Sequence, residues 1–497
     1  MTFATRGLRA ASLALLLSGC ASFDLSHDSG PVAVERTADR CTEWIASVDA
    51  AVAGAGVADA GAYRVPGFPY LRLDRFTASF AQQALGDERL FGAWVRSART
   101  LDREGRAIEF QNLPAAAVAK LGGESREAAR ARTEQCAAEL MQSDLAQPGR
   151  RSLLVANAHV PDNYVDWNRV VGLYPVVHPF VAAGVERWHD EAVAAFRVFG
   201  ANQGPRPDSV RYAPSAGGPV SQREIADLLA QAPRDALGRI VPDRAALERL
   251  FAAYAPVIEV ELGGAFDAIG ALAWGSEAVP LVDHSRPVVY RRLAFTRYAG
   301  EVLPQLVYTA WFPERPRTSA ADILAGKLDG VVFRVTLARD GSPLVYDSIH
   351  PCGCYHMFFP TARVQEIPAP KPDDEWAFVP AAAPVAASGQ RVVLHVQSAT
   401  HYLTGIALAP DEGQMRYEFE DDDDLRSLPT PDGGRRSIYR PDGLVAGSER
   451  PERWLFWPMG VPSAGTMRQW GHNATAFLGR RHFDDADLIE RRFAPAP

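Results

Sequence analysis

The feature that most constrains this fold is a change of period at Pro256. Before it, from Asp39 onward, apolar residues recur three and four apart; after it they alternate. One kind of element cannot satisfy both spacings, because helices place i, i+3 and i+4 on one face and strands place i and i+2 there. The expected fold class is therefore α+β, an N-terminal helical domain followed by a mainly antiparallel β domain. In the helical half, Cys41, Trp44, Ile45, Val48 and Val52 mark one buried face, and Phe76, Phe80 and Leu85 repeat the spacing. Pro66-Gly67-Phe68-Pro69 and Gly122-Gly123 interrupt it.

These signals divide the chain into a helical domain (38–150), a helical connecting region (151–219) and an antiparallel β-rich domain (220–497). The connecting region carries a helix from Phe180 through Val185, Trp188, Val193 and Phe196, then a Gly/Pro-rich stretch from Gly200 to Pro219. Ser221 and Glu224 have capping-box spacing ahead of Ile225, and a second helix spans Asp243 to Tyr254. Strand patterns follow at Val257–Glu261, Val288–Tyr298, Gln305–Phe312, Gly330–Leu337, Leu344–Ile349 and Val392–Val396. Asp340-Gly341 reads as a hairpin turn, and the short connections predict a meander. The acidic run Glu418 to Asp424 reads as a solvated loop without the ligand pattern of a calcium site.

The N-terminus sets the compartment. Arg6 and Arg9 precede a short apolar run, Ala10 to Leu17, too short to span a bilayer. Leu17-Ser18-Gly19-Cys20 resembles the lipobox of bacterial lipoproteins. The resemblance implies cleavage after a signal peptide (1–19), lipid on Cys20, a tether (20–37), and, with Ala21 after the cysteine, an outer-membrane location facing the periplasm. The membrane is then one partner, through the lipid. The formal net charge of −8 shows no basic stripe, so nucleic acid is not an expected partner. A small molecule or envelope polymer is left as the ligand class.

An oxidising compartment makes thiols pair. With Cys20 lipidated, four of the five cysteines remain. Cys41 and Cys136 flank the helical domain, and pairing them would staple its first and last helices. Cys352 and Cys354 then have each other, or a metal. They sit in Asp347 to Pro360, DSIHPCGCYHMFFP, where His350, Cys352, Cys354 and His356 fall on every second residue. A straight strand would spread His350 and His356 about 20 Å apart, far beyond metal bonds of about 2.0–2.3 Å. The motif needs a turn to act as a site, and Pro351 and Gly353 favour one.

Three readings stand. The segment binds zinc, iron or copper, with His395, His401 or His482 completing the ligand set. Alternatively, Cys352 and Cys354 form a small disulfide ring in a non-catalytic envelope-binding protein. In the third, the cysteines are structural and the histidines hydrogen-bonded. A cysteine nucleophile beside His356 or His395 is a further arrangement, hard to keep reduced in that compartment. No nucleotide-cofactor signature and no G-x-S-x-G element are present. Arg291, Arg292, Arg297, Arg315 and Arg334 lie in or beside strands, with Glu259, Glu261 and Glu314 as expected ion-pair partners.

Overall fold

In the helical half, α1 (Arg40–Ala55), α2 (Glu88–Asn112) and α3 (Arg126–Leu145) pack around one core. The computed structural model describes residues 31–34, 39–123, 125–201, 206, 208–215, 217–218, 220–276, 279–371, 374–385 and 389–497. Cys20, the expected signal peptide and most of the expected tether lie outside the described residues. Asp39 caps α1 by accepting from the Cys41 and Thr42 amides, and Gly56 ends it in the left-handed conformation. The buried face of α1 is Cys41, Trp44, Ile45, Val48 and Val52, as the spacing predicts. Cys41 and Cys136 are bonded, joining α1 to α3 across 95 residues.

The region is not purely helical. Tyr63–Val65 and Phe68–Leu73 form a hairpin whose turn is Pro66-Gly67, the stretch that breaks the helical period. Its strand residue Arg72 is fully buried against Asp102 (3.3 Å) and Glu109 (2.8 Å) of α2. Buried charges are tolerated there because each is met by an opposite one.

Beyond α4 (Tyr174–Ala201), the chain builds one ten-stranded sheet. In chain order its strands are β1 (Ser209–Pro214), β2 (Val257–Glu261), β3 (Val288–Tyr298), β4 (Glu301–Arg315) and β5 (Gly326–Leu337). The others are β6 (Pro343–Ile349), β7 (Met357–Pro360), β8 (Gln390–Val396), β9 (Leu403–Pro410) and β10 (Met415–Asp421). The spatial order is β7-β6-β5-β4-β3-β10-β1-β2-β8-β9. Strands β3 to β7 are the expected meander, and Asp340-Gly341 makes its turn, with the Ala338 amide donating to Ser342.

The rest of the sheet departs from a simple meander. β2 lies three places from β3, and β10 pairs in parallel with both β3 and β1. β1 comes from the Gly/Pro-rich connector, and β10 from the acidic run read as a loop. The physical reason is long-range pairing, which short-range periodicity does not encode.

Both faces of the central strands are covered, which explains their nearly unbroken apolar runs. On one face, Leu306, Tyr308 and Phe312 of β4 meet Ile225 and Leu229 of α5 (Gln222–Gln231) and Phe251 of α6 (Arg244–Tyr254). On the other, Val307, Val332 and Ile349 meet Phe483, and Trp311 meets Met467. The irregular C-terminal segment is therefore the second layer over the sheet.

Candidate functional site

The cysteine motif does turn. The His350 amide donates to the Cys354 carbonyl (3.0 Å) and the Gly353 amide to the His350 carbonyl (2.8 Å). Gly353 has φ +95°, and a Cβ there would lie 2.3 Å from the Ala474 carbonyl oxygen, so only glycine fits. Tyr355 follows at φ +62°, a strained position for a side chain of its size. Cys352 and Cys354 are both unbonded thiols, Cys352 buried and Cys354 half-buried. The Cys354 amide points at the Cys352 sulfur at 3.5 Å. The hydrogen bond between the two thiols lowers Cys352 and pushes Cys354 well above its ordinary value, with burial adding to the latter.

The turn does not gather the histidines at one point. His350 and His401 meet across Asp329 of β5, His350 Nδ1 at 3.1 Å and His401 Nδ1 at 3.0 Å from its two oxygens. The other side of His401 faces Asp267, with Nε2 at 3.4 Å, and its ring stacks on Phe312 at 4.0 Å. Arg450 approaches Asp329 at 3.4 Å. Burial opposes the charge of Asp329, but Arg450, His350 and His401 outweigh it and hold the carboxyl well below its usual range. Burial pulls His350 down, whereas in His401 the two carboxylates overcome burial and raise it.

His356 belongs to a second cluster. Its Nε2 lies 3.1 Å from Asp347, which Arg334 grips through Nε (2.9 Å) and Nη2 (2.5 Å). Burial takes His356 down to about 3 despite that carboxylate. His395 forms a third, between Glu259 (3.2 Å, at Nδ1) and Glu261 (3.0 Å, at Nε2). His482 is elsewhere again, 3.1 Å from Asp162.

A metal ion needs several donors aimed at one point. Here His350, His356, His395 and His401 each spend a ring nitrogen on a carboxylate, and in His395 the two carboxylates lie on opposite sides of the ring. Among the described residues no group of three His, Cys, Asp or Glu side chains is arranged to hold a metal ion. The set His350, Cys352, Cys354, His356, His395 and His401 does not fit zinc, iron or copper as one site. Periodicity placed four of them on one face, but the turn and the buried aspartates direct them apart. Asp329 and Asp347 were the missed partners. Their signal was a lone carboxylate inside an otherwise apolar strand.

The strand arginines lead to a different place. Arg292 of β3 binds Asp422 (3.0 Å) and Asp423 (2.6 Å), which follow directly on β10. Asp423 also accepts from Arg426 (2.9 Å), and Arg426 grips Asp59 with two hydrogen bonds (2.8 and 2.7 Å). The acidic run is therefore a built charge array that joins sheet to helical region. Glu259 alone of the three expected glutamates meets a strand arginine, and that is Arg211 of β1 (2.9 Å).

Beside this array is a cavity of about 220 Å³, walled by Glu104 of α2, Arg292, Asp423, Arg426, Gln469 and Trp470. Burial opposes the charge on Asp423, but Arg292 and Arg426 hold its carboxyl below the usual range. Desolvation in the cleft and the nearby Asp423 charge push Glu104 the other way, upward. Gln469 is 2% exposed, and its side-chain oxygen has no partner among the described residues. Asp59 lines a second cavity of about 890 Å³ with Arg126, Trp274, Arg435 and Arg436, so the Asp59–Arg426 pair stands between the two spaces. Sequence reading missed Glu104 entirely, because a single glutamate on a charged helix has no local signal.

No protein-family model, curated protein or solved structure matches this chain.

Proposed function

We propose that the protein is an outer-membrane lipoprotein, anchored through Cys20 with its body in the periplasm, that binds and hydrolyses an acidic envelope saccharide in the paired cavities. The observation that carries the chemistry is the placement of two unlike carboxylates in one cavity. Asp423 is pinned between two guanidinium groups and stays ionised. Glu104 is exposed on the cavity wall, where partial desolvation and the nearby Asp423 charge bias it toward its proton-bearing form. Such a division is what acetal cleavage requires.

In that reaction Glu104 gives its proton to the bridging oxygen as the C–O bond breaks toward that oxygen. The ionised Asp423 faces the positive charge developing on the sugar carbon. Water then adds to that carbon and returns a proton to Glu104. Trp470 offers an apolar wall for a sugar ring, and the unpartnered Gln469 oxygen accepts from a hydroxyl. Arg126, Arg435, Arg436 and Trp274 in the larger cavity suit the flanking, negatively charged units of a polymer.

The lipidated protein, incubated with a solubilised anionic envelope polysaccharide, is expected to release reducing ends. Glu104→Gln is expected to lose at least about 100-fold in rate, the scale of general acid catalysis, while retaining binding. Equal rates in the parent, Glu104→Gln and Asp423→Asn would exclude the cleft as the reacting site. Palmitate labelling of the parent and its absence in Cys20→Ser checks the anchor separately.

A further inference from the structure

Three helices leave large apolar side chains in solvent on one part of the surface. Trp167 is 71% exposed, Phe180 78% and Trp454 71%, with Leu173, Val176 and Leu455 all above half. A soluble protein seldom spends so many large apolar groups on a single region. They share one support. The short helix Asp166–Val171, the start of α4 and the helix Arg453–Phe456 all converge on the turn Trp457–Gly460. The Val165 amide donates to the Gly460 carbonyl (2.8 Å), and Arg169 donates to the Met459 carbonyl (2.9 Å). Gly172 packs so closely on Pro458 that a Cβ there would lie 2.5 Å from it.

α4 shows that the exposure is not a packing failure. Tyr174, Val177, Val181 and Val185 face the core around Met459 and Phe477. Val176 and Phe180 lie on another stripe of the same helix, four apart, and Leu173 immediately precedes it; all three are exposed. The helix is apolar on two faces, and among the described residues only the first has a protein partner.

The chain path says what covers the other. Val32 is held at both backbone groups by Asn157, its amide donating to Oδ1 (2.8 Å) and its carbonyl accepting from Nδ2 (3.0 Å). Twelve residues separate Val32 from Cys20 in the sequence, a reach of about 40 Å when extended. Asn157 is eight residues from Val165, no more than about 29 Å away. A lipid on Cys20 therefore keeps this surface within reach of the bilayer. Its composition also suits an interface: two tryptophans, with the Arg453 guanidinium 4.9 Å over the Trp454 ring, near the level of phosphate groups.

We propose that this surface rests on the phospholipid leaflet, with Trp167, Phe180 and Trp454 seated among the headgroups, so that lipid and patch together fix the orientation of the body. The inference rests on the lipoprotein reading, and the test separates the two.

The lipidated chain is reconstituted into phosphatidylethanolamine and phosphatidylglycerol vesicles whose acyl chains carry bromine, a contact quencher of tryptophan. Quenching is expected in the parent and is expected to fall by at least half in Trp167→Phe/Trp454→Phe, although the chain has ten tryptophans. An unchanged quenched fraction overturns the proposal. So does sedimentation of the vesicle-free parent as a dimer that Phe180→Glu converts to monomer, since the patch would then bind a second copy. The mass of the N-terminal peptide decides the anchor independently. Lipid without patch quenching leaves the anchor and removes the proposal; quenching without lipid does the reverse.

Discussion

Two charged clusters in this protein use the same residue types to opposite ends. Around Asp329 and Asp347, every carboxylate is buried under the sheet and already answered by histidine and arginine. Around Asp423 and Glu104, the carboxylates line a cavity and are exposed to solvent. The first arrangement spends its chemistry on holding strands together. The second keeps some in reserve for a ligand. Chemical residue type does not separate them, nor do unmet hydrogen bonds, since His350 Nε2 and His356 Nδ1 are also without partners among the described residues; room does.

The contrast can be broken or sharpened by substitution. Its largest expected effect is in the buried cluster. Asp329→Ala leaves Arg450 and two histidines facing an empty position, and a loss of about 3–5 kcal/mol is expected on chemical denaturation. A loss below about 1 kcal/mol would show that the cluster behaves like a surface network and would remove the contrast.

Next comes the helical region. Cys41→Ser/Cys136→Ser opens a 95-residue loop, with an expected cost of about 2–4 kcal/mol. The same double change at Cys352 and Cys354, which carry no bond here, is expected to cost less.

A pH titration gives a third measure. The ordinary value for His356 is 6.5, and burial takes the folded state to about 3. Between those values the unfolded chain binds a proton that the folded chain does not. Stability contributed by this residue is thus full above about 6.5 and is lost as pH falls toward 3, by about 2 kcal/mol on reaching pH 5. His401 is raised and runs the other way, stabilising at low pH and losing that contribution as pH rises through its folded value. His356→Phe is expected to be less stable at neutral pH and to have a flatter profile between pH 6.5 and 3, measured by urea unfolding at each pH.

The smallest expected effect on stability is in the cleft. Glu104→Gln is expected to change unfolding free energy by no more than about 0.5 kcal/mol, while removing turnover. A large stability loss there would place Glu104 with the buried group and undo the distinction.

Much of the framework was legible in advance because it is local. The buried face of α1, the span of β3, the cap at Ser221, the helix beginning at Asp243 and the Asp340-Gly341 turn all follow from spacing within a few residues. The candidate site was legible only in part. The turn that Pro351 and Gly353 favour in the His350–His356 stretch is present, and Cys352 and Cys354, expected as metal ligands, a disulfide or structural residues, are unbonded. That its histidines would be claimed by Asp329 and Asp347 depended on how β5 registers against β6, with Asp347 opposite Arg334. Most of the acidic run is exposed, as a solvated segment would be, but it was misjudged as a loop because Arg291 and Arg292 lie on a strand far away in sequence that pairs with β10 in parallel.

By itself, then, the sequence determined the α+β division, the disulfide between α1 and α3, the turning of the cysteine motif and the expectation of a lipid anchor. All but the disulfide depend on residue type and short-range spacing, which backbone geometry reads directly; the Cys41–Cys136 pair, 95 residues apart, followed from the cysteine count and the expected compartment. Only the tertiary structure decided the sheet order, the sharing of Asp329 by His350 and His401, and the meeting of Glu104 with Asp423 across one cavity. These are contacts between segments with no common period. Their geometry exists only once long-range strand pairing and packing have brought those segments together.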